Sequence, residues 1–152
     1  MVKSAWVQDN GRYYYLDAEG IMQSDGWLQV GSYWYYLNAD GSRKQSEWLQ
    51  LSGKWYWFDA SGMMASKAWK TIDGKSYYFT ESGAMQTGGW LELGDDWYYL
   101  NSDGSRKESE WYKDGSGNWY YLNASGVMLK STSQTINGKV YNFNASGVCT
   151  NP

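Results

Sequence analysis

Between residues 48 and 58 the chain reads WLQLSGKWYWF, two alternating runs of side chains about a central Ser-Gly pair. Successive strand residues point to opposite faces, so this pattern predicts a β-hairpin. A two-residue turn at Ser52-Gly53 pairs Leu51 with Lys54, Gln50 with Trp55, Leu49 with Tyr56 and Trp48 with Trp57. One face then carries Leu49, Leu51, Tyr56 and Phe58, and the other Trp48, Gln50, Trp55 and Trp57. Asn10-Gly11, Asp73-Gly74 and Asn137-Gly138 supply the same turn elsewhere.

The hairpin recurs along the whole chain. Tyr14-Tyr15, Tyr35-Tyr36, Tyr56-Trp57, Tyr77-Tyr78, Tyr98-Tyr99, Tyr120-Tyr121 and Tyr141-Asn142 start 21, 21, 21, 21, 22 and 21 residues apart. The single 22-residue interval reflects a longer loop, DGSGN, at 114–118. An apolar residue follows each pair, and a glycine (Gly20, Gly41, Gly62, Gly83, Gly104, Gly126, Gly147) always lies six positions after the pair begins. A lone hairpin with two partly apolar faces is marginal in water. The predicted fold is therefore all-β, a solenoid (superhelix) of seven stacked β-hairpin repeats of about 21 residues. It forms a single repeat domain over 1–152, with repeats at about 5–25, 26–46, 47–67, 68–88, 89–109, 110–131 and 132–152. The aliphatic face is expected to form the interior and the tryptophan face to lie in grooves between neighbours.

Composition sharpens this picture. Aromatics make up 19% of the chain, with 11 Trp and 15 Tyr, yet mean hydropathy is −0.70, which suits rings presented on surfaces. A net charge of −3 offers no basic face for nucleic acid or an anionic membrane. No stretch approaches 18 apolar residues, so membrane insertion is not expected, and the N-terminus lacks the regions of a signal peptide. One cysteine and no histidine exclude an internal disulfide and remove the usual base and metal ligand. Cys149 reads as an incidental thiol. Asp17, Asp59 and Glu81 fall at repeat-locked turn positions, which argues against a catalytic carboxylate pair and for a non-catalytic protein without cofactor or metal.

Chemistry concentrates on the tryptophan face. Trp6, Trp27, Trp48, Trp69, Trp90 and Trp111 recur on the first strand, and repeat seven lacks the residue. Tyr13, Trp34, Trp55, Ser76, Trp97, Trp119 and Val140 open the second strand, with Tyr15, Tyr36, Trp57, Tyr78, Tyr99, Tyr121 and Asn142 two residues later. Three aromatic planes on a rigid sheet suit a quaternary ammonium, which is drawn to ring faces while its methyl groups favour an apolar wall. Inter-repeat packing alone is the other reading of these rings. The glycines, and Tyr14, Leu16 and their equivalents, read as structural.

GWLQVGSYWYYLNADG (26–41) and GWLELGDDWYYLNSDG (89–104) resemble the cell-wall-binding repeats of choline-binding proteins. The resemblance implies a non-catalytic extracellular module that holds a protein to phosphocholine on cell-wall teichoic acids, with choline in aromatic cages between hairpins. Carried over, it implies cages of Trp6, Tyr13 and Tyr36; Trp27, Trp34 and Trp57; Trp48, Trp55 and Tyr78; and Trp90, Trp97 and Tyr121. Trp111 and Trp119 form a further pair that meets Asn142 and stays open on one side, and Ser76 spoils the cage between repeats four and five. The family's methionine corresponds to Met22, Met64, Met85 and Met128. In that slot repeats two and five carry Arg43 and Arg106, within GSRKQSEW and GSRKESEW, 63 residues apart. A fixed cation there would repel choline or occupy the cage itself. The residues do not decide which groove the slot lines. A related branch of these repeats binds glucans or host glycans, so a carbohydrate ligand is the alternative, and a structural or host-protein adhesion rod a second one. The family resemblance also admits a homodimer through a terminal hairpin.

Overall fold

Each Xaa-Gly pair folds as the sequence predicts. Asn10, Ser52, Asp73 and Asn137 lie at φ 49°, 51°, 51° and 50°, each followed by a glycine between 77° and 83°. Two positive φ values in succession define the type I′ turn, whose twist matches that of its flanking strands.

The computed structural model describes all 152 residues, as fourteen strands and no helix. The hairpins are β1 (Ala5–Asp9) with β2 (Arg12–Leu16), β3 (Gly26–Val30) with β4 (Tyr33–Leu37), β5 (Glu47–Leu51) with β6 (Lys54–Phe58), and β7 (Ala68–Ile72) with β8 (Lys75–Phe79). They continue as β9 (Gly89–Leu93) with β10 (Asp96–Leu100), β11 (Glu110–Lys113) with β12 (Trp119–Leu122), and β13 (Thr132–Ile136) with β14 (Lys139–Phe143). In β5–β6 the observed pairs Leu51–Lys54, Gln50–Trp55, Leu49–Tyr56 and Trp48–Trp57 are those read from the sequence.

After each hairpin the chain turns back at the glycine. The residue in the methionine slot then bridges to the apolar residue after the aromatic pair, as Met64 does to Phe58. Asp59 holds this turn by accepting the amides of Ser61 at 2.9 Å and Met63 at 3.0 Å on one carboxylate oxygen. The repeat-locked carboxylate is a turn cap.

Contacts group the residues into two compact units, Met1–Lys70 with Tyr78–Met85, and Thr71–Tyr77 with Gln86–Pro152. Within the first, the slot amides of Arg43, Met64 and Met85 donate to the carbonyls of Tyr13, Trp34 and Trp55 in the preceding hairpins, at 2.9, 2.8 and 2.8 Å. Within the second, Arg106, Met128 and Cys149 donate to Ser76, Trp97 and Trp119 at 2.9, 2.8 and 2.8 Å. The slot thus stitches each repeat to the one before it.

The hairpins stack with a polarity that sequence alternation alone does not specify. Trp27 meets Tyr56 at 5.2 Å and Phe58 at 5.8 Å, and in the second unit Trp111 meets Tyr141 at 4.8 Å and Phe143 at 5.9 Å. The tryptophan face of one hairpin therefore packs against the tyrosine-bearing face of the next. This corrects the expectation of a separate aliphatic interior: Leu49 and Leu51 are only half-buried. The buried column consists of the residues after each aromatic pair, Leu37, Phe58 and Phe79 in one unit and Leu100, Leu122 and Phe143 in the other.

Stacking also explains the glycine six positions after each pair begins. Gly83 lies at φ +87°, and a Cβ there would run into the Met64 sulfur. The backbone conformation requires glycine, and the methionine side chain packs into the space its missing Cβ leaves.

Candidate functional site

Strand register sets the first two walls of each groove. Trp27 pairs with Tyr36 and Gln29 with Trp34, so Trp27 and Trp34 are diagonal neighbours on one face. Their rings stand 6.2 Å apart at 88°. Trp48–Trp55 (6.1 Å, 88°), Trp90–Trp97 (6.4 Å, 84°) and Trp111–Trp119 (6.1 Å, 89°) repeat the arrangement. Each pair is a right-angled aromatic corner.

The third wall differs from the sequence expectation. Tyr36, Trp57, Tyr78 and Tyr121 pack on the tryptophan of their own hairpin, at 5.2 Å to Trp27, 5.3 Å to Trp48, 5.3 Å to Trp69 and 5.1 Å to Trp111. The groove is closed instead by the first tyrosine of the next pair: Tyr35 at 4.9 Å from Trp6, Tyr56 at 5.2 Å from Trp27, Tyr120 at 5.0 Å from Trp90 and Tyr141 at 4.8 Å from Trp111. Opposite faces meet in the stack, so the wall comes from the other alternation class. The same correction applies to repeat seven, where Tyr141 gives the Trp111–Trp119 corner a third ring while Asn142 accepts a hydrogen bond from Ser133 at 2.6 Å. Tyr141 persists where the first tryptophan is lost, a sequence signal that this tyrosine serves the groove before it.

Cavities open in the second, fifth and sixth grooves. The second is a cavity of about 350 Å³ lined by Trp27, Trp34, Tyr56, Met64, Glu81 and Ser82. The fifth, also about 350 Å³, is lined by Trp90, Trp97, Tyr120, Met128, Lys130, Ala145 and Ser146. The sixth, about 250 Å³, is lined by Trp111, Trp119, Tyr141 and Pro152. Met64 and Met128 therefore line the groove preceding their own turn. By the same rule Met22 faces no groove between described hairpins: it is 47% exposed, and its methyl and sulfur lie against Gly41. Pro152 and the turn residues of the repeat after next were not legible as walls.

The first and fourth grooves depart from this pattern, whereas the third keeps it. In the first, Arg43 takes the methionine slot, with its guanidinium carbon 3.9 Å from the Tyr13 ring centroid and 5.3 Å from that of Trp6. In the third, Trp48 and Trp55 form the same right-angled corner, Trp48 rests on Phe79 at 5.8 Å as Trp27 does on Phe58, and the Met85 amide reaches the Trp55 carbonyl as Met64 reaches Trp34. In the fourth, Ser76 is buried, its hydroxyl 3.2 Å from that of Thr71, so it supplies no ring. Arg106 is paired with Glu108 at 2.8 Å.

The open corners are electrically distinct at their rims. Glu81 borders the second groove, whereas Lys130, held by the Asp95 carbonyl, borders the fifth. A cationic ligand is favoured in the second by the ordinary sign of Coulomb attraction.

Several tyrosines in or near the grooves hold their protons tightly. Burial raises the Tyr35 hydroxyl, and burial together with a 3.1 Å hydrogen bond to Asp114 raises that of Tyr120. Tyr112, stacked on Tyr99 at 3.9 Å, is pushed up to about 12, chiefly by its hydrogen bond to Tyr99 and then by burial. Unfolded tyrosine ionises near pH 10. Above that pH the unfolded chain binds fewer protons than the folded one, so stability falls. Thermal unfolding followed by near-ultraviolet circular dichroism should show a melting temperature that declines from about pH 10 through about pH 12. A flat profile would refute this linkage, and Tyr120→Phe should make the decline shallower.

Comparison with known proteins places the chain in a family context. Residues 66–111 match the choline-binding repeat family, and residues 4–22, 25–42, 46–64 and 109–128 match the putative cell wall binding repeat family. The fold matches CbpJ from Streptococcus pneumoniae with a TM-score of 0.78 and 39% identity, covering 97% of this chain and 48% of that one. Choline binding protein F from Streptococcus pneumoniae, solved in the presence of a peptidoglycan analogue, matches with a TM-score of 0.77 and 39% identity over 97% of this chain and 46% of that one. The chain thus spans about half the length of these two relatives. The choline-binding domain of CbpL from Streptococcus pneumoniae matches with a TM-score of 0.56 and 30% identity over 100% of this chain and 99% of that one. No curated protein sequence matches the chain.

Proposed function

Because the chain belongs to the family of choline-binding, cell-wall-binding repeats, we propose that it is a non-catalytic module that attaches a protein to phosphocholine on cell-wall teichoic acids outside the cell, through aromatic grooves such as its second, fifth and sixth. The observation that carries this reading is the recurrence of one geometry, a perpendicular tryptophan pair closed by a tyrosine and open to solvent. Three ring faces surround a trimethylammonium group with negative quadrupoles, and the Met64 or Met128 thioether adds a polarizable wall. That ammonium group and its attached methylene, five heavy atoms at a water-like ~30 Å³ each, need on the order of 150 Å³, less than each cavity provides.

Each ring contact contributes about 0.5–2 kcal/mol. After the cost of association the sum leaves about −4 kcal/mol per groove, a dissociation constant near millimolar. Weak single sites suit a repeating polymer, because each further engagement is intramolecular and avidity multiplies.

Tryptophan fluorescence titrated with choline, beside a titration with glucan oligosaccharides, tests the reading. A saturable change with choline near the millimolar range is expected. No response at tens of millimolar choline, or a response only to the oligosaccharides, would overturn it.

A further inference from the structure

The first groove is built like the open ones, yet it already contains a cation. Its walls are Trp6, Tyr13 and Tyr35, and its slot residue is Arg43 in place of Met64 or Met128. The guanidinium lies over Tyr13 with its carbon 3.9 Å from the ring centroid, and 5.3 Å from that of Trp6, where a ligand cation would sit. The arm is fixed at both ends. The Arg43 amide is bonded to the Tyr13 carbonyl at 2.9 Å. At the other end Nε donates to Gln45 Oε1 at 3.3 Å, and the stem lies against Gly62, where a Cβ would stand 2.7 Å from Cδ.

We propose that Arg43 is the resident ligand of the first groove, a tethered cation that closes it to external quaternary ammonium and makes the junction of the first two hairpins independent of ligand. This rests on the reading of the open grooves as choline sites. A side chain already anchored at both ends loses none of the translational and rotational freedom that an external ligand must give up on binding, so a ligand that binds at millimolar competes poorly. The guanidinium is planar and weakly hydrated, which suits stacking on tyrosine. Burial lowers its pKa, an effect opposed by Tyr13, Tyr35 and Asp59, and an arginine stays charged throughout the working pH range.

Two backbone bonds report the two kinds of junction. The Met64 amide donates to Trp34 and the Arg43 amide to Tyr13. In the wild-type chain, choline at about ten times its dissociation constant should slow exchange of the Met64 amide about tenfold and leave the Arg43 amide unchanged. In Arg43→Met the amide of residue 43 should become choline-responsive, and equilibrium dialysis should count one more bound choline per chain. Choline protection of the Arg43 amide in the wild type, or a folded Arg43→Met chain with no added site, overturns the proposal. Failure of the wild-type Met64 amide to respond overturns instead the choline reading. Arg43→Ala then tests the receptor without choline: protection lost at the first junction should return with methylguanidinium at about 10 mM or above, and its failure to return overturns the proposal.

Discussion

Phe58→Ala is expected to lower the free energy of unfolding by about 3–5 kcal/mol, the range for deleting a buried phenylalanine. Phe58 is wholly inaccessible to solvent, and its ring lies 5.8 Å from Trp27 and 6.4 Å from Tyr36. The strand that carries it is paired on one side with β5 and bridged on the other to Met64. Backbone held on both sides collapses little, so most of the cavity should persist. Denaturant unfolding would show the loss as a lower midpoint at an unchanged slope. A loss below about 1 kcal/mol would mean that the buried column is not what holds the stack. The variant should also weaken ligand binding in the second groove, although no wall there is changed, because Trp27 loses the ring it rests on.

The second large effect separates the wall found in the structure from the one expected from the sequence. Tyr56→Leu and Trp27→Leu each remove one ring face from the second groove while keeping an apolar side chain. Each should raise the dissociation constant for choline there roughly 2- to 30-fold, the equivalent of about 0.5–2 kcal/mol. The methyl resonance of Met64, which lines this groove, gives a local titration curve. Trp57→Leu should leave that midpoint in place, because Trp57 lies on Trp48 of its own hairpin. If Trp57→Leu weakens binding and Tyr56→Leu does not, the third wall is reversed. For a polymer that engages several grooves at once, the loss should exceed that for free choline.

Much of this was legible in the sequence because hairpin geometry is local. Turn chemistry at Ser52-Gly53 set the register, register set the diagonal, and the diagonal put Trp48 and Trp55 at a right angle. The third wall was not legible, because alternation sorts Tyr56 and Trp57 onto opposite faces without saying which face meets the neighbour. That choice depends on long-range packing, in which Phe58 is buried beneath Trp27. The slot was ambiguous for the same reason. The bonds from the Met64 amide to the Trp34 carbonyl and from the Arg43 amide to the Tyr13 carbonyl, made across the stack, turn both slot residues back to the preceding groove.

The second groove takes tryptophans from one hairpin, Tyr56 and Met64 from the next, and Glu81 and Ser82 from the turn after that. No single repeat owns a site, yet successive repeats meet along backbone edges of the same geometry. Removing a whole repeat joins two edges of the same backbone geometry and changes valency by a whole number, whereas a deletion that is not a whole number of repeats breaks the grooves beside it. A gene built this way can tune how firmly its product holds a surface by copy number alone, without inventing a new residue.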